Sequence, residues 1–85
     1  MVTVQVKILT ASRQKKKGEF TLQVPVSCDM ALERIEDEVD FSLLERLKFD
    51  MKLLINGKEV PASDWSSIEL TEGDRIVIIP GVGGG

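Results

Sequence analysis

Val2, Val4, Val6 and Ile8 alternate with Thr3, Gln5 and Lys7, the period of two that gives a strand one buried face. Phe20, Leu22, Val24 and Val26 repeat the alternation, and the polar stretch Thr10–Gly18 between the two runs has no apolar period. The two strands therefore read as an antiparallel hairpin with a flexible tip. After Pro25 the period lengthens, and Cys28, Ala31, Leu32, Ile35 and Val39 fall on one helical face. Ser27 is the expected N-cap, its hydroxyl accepting from a first-turn amide, and Asp29 suits the positive end of the helix dipole. Ser42 and Glu45 have capping-box spacing and precede Leu44 and Leu47, which predicts a second helix of about two turns.

Met51–Ile55 reads as a third strand, and Asn56-Gly57 is a dipeptide favoured in tight hairpin turns. Lys58–Val60 is then a brief edge strand, which Pro61 ends because it cannot donate to a ladder. The stretch around Trp65 reads as irregular. Glu72-Gly73-Asp74 is a turn, and Arg75–Ile79 is a run rich in β-branched residues, suited to a central strand that Pro80 terminates. The ten residues expected to meet in the core are Val4, Val6, Phe20, Leu22, Leu32, Ile35, Leu53, Ile55, Ile76 and Ile78.

The composition narrows what such a chain can do. Eighty-five residues with 42% apolar content describe one core, which leaves little room for an internal substrate cavity. A net charge of −3 argues against a nucleic-acid backbone as partner, and the one basic run, Lys15-Lys16-Lys17, reads as a solvated loop tip. The acids Glu33, Glu36, Asp37, Glu38 and Asp40 spread along the first helix as a solvated face rather than a metal site. No histidine is present, so the usual neutral-pH proton shuttle is missing. Cys28, the single cysteine, falls on the apolar helix face as a small hydrophobe, with a reactive role held open by its place near a helix N-terminus. No apolar run approaches the length of a membrane span, and no signal-like segment opens the chain, so the expected compartment is the cytoplasm.

The chemistry that remains is at the C-terminus. Gly81-Val82-Gly83-Gly84-Gly85 carries almost no side chain, and glycine lets a backbone approach its surroundings most closely. Five extended residues after Pro80 span about 17 Å, enough to carry a terminal carboxylate into a neighbouring enzyme's active site.

Leu54-Ile55-Asn56-Gly57-Lys58-Glu59-Val60-Pro61, followed by Trp65, resembles the thiamin-pathway sulfur carriers. Gly73-Asp74-Arg75-Ile76-Val77-Ile78-Ile79-Pro80 resembles both thiamin and molybdopterin carriers, its Pro80 leaning toward the latter, and Gly84-Gly85 supplies the terminal diglycine. Ser27–Leu32 falls where such carriers begin their helix, and Asp40–Asp50 is closer in size to the molybdopterin type. The sequence is thus similar to the MoaD/ThiS family of ubiquitin-like sulfur carriers. That resemblance implies an α+β, ubiquitin-like β-grasp fold: a mixed sheet of four to five strands on one main helix, its last strand parallel to the first. It also implies a single domain over residues 1–80 and a flexible glycine tail over 81–85.

By the same resemblance, an E1-like enzyme using ATP and magnesium adenylates the Gly85 carboxylate, and a sulfur donor converts it to a thiocarboxylate. The carrier is then a cosubstrate rather than an enzyme, with no bound cofactor or metal. Gly83, Gly84 and Gly85 are the residues required for activation. Strand alternation turns Leu54, Val77 and Ile79 away from the core as a partner-binding patch, with Val82 grouped beside them. The expected partners are the E1-like enzyme, the sulfur donor, and an acceptor synthase subunit or target protein, with neither nucleic acid nor membrane. The alternative is a ubiquitin-like modifier joined to lysines through the same glycine. A plain β-grasp interaction domain is the third reading.

Overall fold

The computed structural model describes residues 1–9, 18–39 and 41–81. The elements follow in the order β1 (Val2–Ile8), β2 (Glu19–Val24), α1 (Cys28–Glu38), α2 (Leu43–Leu47), β3 (Met51–Ile55), β4 (Lys58–Glu59), a 3-10 helix (Ala62–Ser67) and β5 (Arg75–Pro80). The strands form one mixed sheet in the order β2-β1-β5-β3-β4. β5 runs parallel to β1, pairing Val6 with Ile76 and Ile8 with Ile78, and antiparallel to β3, pairing Leu53 with Ile78 and Ile55 with Ile76. This is the β-grasp arrangement, with the last strand of the chain inserted at the centre of the sheet.

The alternation of β1 sets which face is covered. Val4, Val6 and Ile8 are buried in a cluster with Leu53, Ile55, Ile76 and Ile78 from the sheet and Cys28, Ala31, Leu32 and Ile35 from α1. Leu43 and Leu47 of α2, Trp65 of the 3-10 helix, Val60 and Leu70 close the same cluster. Eight of the ten expected core residues are buried; Phe20 and Leu22 lie on the core face, opposite Val6 and Val4, but are only half-buried. Their strand is an edge, so one flank of each side chain has no neighbouring strand to cover it.

The helix starts differ in detail from their sequence signals. The Ser27 hydroxyl donates to the Asp29 carboxylate rather than accepting from a first-turn amide; the same carboxylate accepts from the Met30 amide at 2.9 Å, and the Ser27 carbonyl accepts from Ala31. Asp29 thus takes the role expected of Ser27. Ser42 flanks α2 without a side-chain cap, and Glu36 of α1 reaches across to accept from the Leu44 amide at 3.1 Å. α2 buries Leu43 and Leu47, an i,i+4 pair, and leaves Leu44 half-buried. The expected hairpin tip lies almost wholly outside the described residues; at its far end Gly18 accepts from the Ile8 amide at 2.7 Å.

Candidate functional site

Two features meet at one end of the sheet: the uncovered face of β3 and β5, and the point where β5 gives way to the tail. On that face Val77 pairs with Lys7 of β1 on one side and Leu54 of β3 on the other, while Ile79 pairs with Lys52. Leu54, Val77 and Ile79 are half-buried and stand outside the core cluster, as the parity of their strands requires. Lys7, Lys52 and Arg75 are exposed on the same face, with Thr21, Gln23 and Gln5 extending it toward β2 as a polar surface. Glu59 stands opposite Leu54 and Glu19 opposite Lys7, so the patch is small and apolar at its centre, with charges of both signs beside it.

β5 is held in place at both ends. At its start, Asn56 and Gly57 adopt the positive φ values, 53° and 86°, of the predicted tight turn between β3 and β4. The Asn56 side chain then does more than turn the chain: its carbonyl accepts from the Arg75 amide at 3.0 Å, and its amide donates to Asp74 at 2.9 Å. Asp74 also accepts from the Thr71 amide and hydroxyl at 2.8 and 2.9 Å. Burial would raise the Asp74 pKa, but the hydrogen bonds from Asn56 and Thr71 outweigh it and hold the carboxyl below its ordinary value. At the other end, Pro80 pairs with Met51, and the Gly81 amide donates to the Asp50 carbonyl at 2.6 Å. Gly81 is the last described residue; Val82, Gly83, Gly84 and Gly85, the expected reacting segment, lie outside the described residues.

The rest of the described residues offers little chemistry. Cys28 is buried, and its thiol is pushed up to about 11 by burial and by the charge of Asp29, so it is protonated and inert at neutral pH. Of the acids expected along the first helix, Glu38 pairs with Arg34 at 3.0 Å and Glu36 caps α2, while Asp40 lies outside the described residues. Among the described residues, no group of three His, Cys, Asp or Glu could hold a metal ion. A shallow depression lined by Asp29, Glu33, Leu44, Lys48, Trp65 and Ser66 mixes both charges. Among the described residues, no helix is long and apolar enough to cross a membrane. Two features carried no usable sequence signal: Phe49, exposed one residue before Asp50 at the tail's base, and the Gly81–Asp50 contact.

The family model described as the ThiS family matches residues 6–85. No curated protein matches the chain by sequence. Among solved structures, small archaeal modifier protein 1 from Methanosarcina acetivorans is similar with a TM-score of 0.71 at 22% identity, covering 100% of this chain and 98% of that one. The complex of subunits 1 and 2 of molybdopterin-converting factor from Helicobacter pylori 26695 contains a chain similar with a TM-score of 0.66 at 20% identity, covering 99% of this chain and 100% of that one. At such identities both likenesses establish the fold, a ubiquitin-like β-grasp.

Proposed function

The chain belongs to the ThiS family, and from that premise we propose that it is a sulfur carrier whose Gly85 carboxylate is adenylated by an E1-like enzyme and then converted to a thiocarboxylate. The observation that carries this reading is the family match running through residue 85, to the end of a glycine segment rooted on the central strand. A carboxylate oxygen of Gly85 attacks the α-phosphorus of ATP and pyrophosphate leaves. Hydrosulfide provided by the sulfur donor then adds to the carbonyl carbon, the bond to AMP breaks with AMP leaving, and a thiocarboxylate remains. ATP and magnesium belong to the activating enzyme. The carrier supplies only a carboxylate, which agrees with a body whose one thiol is buried and protonated.

The uncovered patch of Leu54, Val77 and Ile79 is the surface we assign to the activating enzyme and to an acceptor, because apolar surface on a small protein commonly marks a contact. Val82, which lies outside the described residues, we group with that surface. Similarity to a chain in a two-subunit molybdopterin-converting complex supports an acceptor synthase subunit as one partner. Similarity to a small archaeal modifier protein supports a second reading, in which a lysine amine rather than sulfur attacks the same adenylate.

The test is ATP–pyrophosphate exchange with the E1-like enzyme of the same organism. Deleting Gly85, appending one residue after it, or replacing Gly84 with valine is expected to leave folding intact and abolish exchange or slow it at least a hundredfold, since a misplaced carboxylate cannot reach phosphorus. Full activity in the extended chain, with trimming excluded by intact mass, would defeat the carrier reading.

A further inference from the structure

Phe49 is 86% exposed, the most exposed of the large apolar side chains among the described residues. It stands on an ordered corner between α2 and β3. The Phe49 and Asp50 amides both donate to the Arg46 carbonyl, at 3.1 and 2.9 Å, and the Arg46 side chain bonds Asp50 at 2.8 Å while its guanidinium lies 5.9 Å from the Phe41 ring. The corner also forms the base of the tail. Asp50, the next residue after Phe49, accepts the 2.6 Å hydrogen bond from Gly81. The contact is close enough that a Cβ on Gly81 would lie 3.2 Å from the Asp50 oxygen and 3.3 Å from its carbonyl carbon.

A partner that threads a glycine segment gains almost nothing from side chains along it, so its affinity has to come from the body of the carrier. To deliver a carboxylate to one atom, the contact must also be fixed relative to where the segment starts. Phe49 meets both conditions: one covalent step, about 3.8 Å between Cα atoms, separates it from the residue that grips Gly81. We propose that Phe49 seats in an apolar pocket of the activating enzyme beside the channel that takes the tail, and that the Gly81–Asp50 contact fixes the line along which the tail leaves the body. This rests on the adenylation reading above and adds the contact that aligns the reacting group. The Arg46–Asp50 pair at the corner suits a polar rim around that pocket.

The test uses the 85-residue chain in the same exchange assay with the E1-like enzyme, ATP, magnesium and labelled pyrophosphate. Phe49→Ala is expected to raise the KM for the carrier about ten- to a hundredfold with kcat and Tm unchanged, the scale of losing one buried aromatic anchor. Phe49→Leu should recover most of the loss, which a general disturbance of the corner would not do. Gly81→Ala should act the other way, lowering kcat with KM near wild type, because the body still docks while the tail's base is displaced by a few tenths of an ångström. Wild-type KM for Phe49→Ala, with the chain extended after Gly85 inactive in the same assay, overturns this inference and leaves the carrier reading standing. Full activity of the extended chain overturns both.

Discussion

Asp74 joins two turns that the chain places 18 residues apart, and its carboxylate is where the register of β5 is tied to the β3–β4 hairpin. Because its folded pKa lies below the ordinary value, ionised Asp74 stabilises the fold in full above the unfolded carboxylate range, and that stabilisation is lost as pH falls through the folded pKa. Asp74→Asn is therefore expected to be less stable than the parent by an amount that is constant above roughly pH 5 and shrinks below about pH 4. Urea midpoints measured across that range check it; a difference that persists unchanged in acid would assign the effect to shape rather than charge. The turn itself was legible, since Asn56-Gly57 announces positive φ by residue type. The Asn56–Asp74 bond was not, because it depends on the strands pairing as β3 with β5, which no local pattern specifies. Cys28 shows the converse: its place on an apolar helix face was enough to foresee its burial, and burial together with the Asp29 charge, which raise the thiol pKa, close the reactive role that its position near a helix N-terminus had held open.

At the scale of elements, the exchange of capping roles at α2 makes a contrast that can be measured. Glu36 accepts from the Leu44 amide, whereas Ser42 makes no side-chain cap. Glu36→Ala is expected to cost about 1 kcal/mol, the usual loss of a cap, and Ser42→Ala only a few tenths. Equal losses by urea denaturation would show that Ser42 caps the helix in solution. The strands were legible because alternation is a property of each segment alone, and α1 because its stripe of four buried residues holds over more than two turns. α2 has only five residues, too few for a period to choose between Leu43 and Leu44, and the packing against α1 and β3 decides it. The 3-10 helix was unread for a related reason: one buried side chain, Trp65, gives no periodicity at all. Phe20 has the predicted parity, but its partial exposure reflects the edge position of β2, which follows from strand order rather than from the segment's own sequence.

At the scale of the whole molecule, one side of the sheet is covered by helices and the other is open. The helical side carries Asp29, Glu33, Asp37 and the Arg34–Glu38 pair, while the open face sets Lys7, Lys52 and Arg75, with Glu19 opposite Lys7 and Glu59 opposite Leu54, around the apolar group Leu54, Val77 and Ile79. The parity that places these residues was readable from the sequence; the cations beside them were not, because Lys7 meets Val77 only through the parallel pairing of the first and last strands. That neighbourhood makes a demanding variant feasible. In a Val77→Asp, Ile79→Asp double variant each new carboxylate would stand opposite a lysine, Lys7 or Lys52, and opposite-charge cross-strand pairs offset part of the cost of aspartate in a central strand. The variant should therefore fold, at a cost of roughly 1–2 kcal/mol, while exchanging a half-apolar surface for an anionic one. If the open face is where the activating enzyme docks, the KM for the carrier should rise at least tenfold, since a carboxylate, even beside a lysine, has to be desolvated at an apolar contact. Asp37→Ala, exposed on α1, is the matched control and should leave KM unchanged. Wild-type KM in a double variant shown to be folded would remove the open face from the interface, and recognition would then fall to the α2–β3 corner and the tail alone.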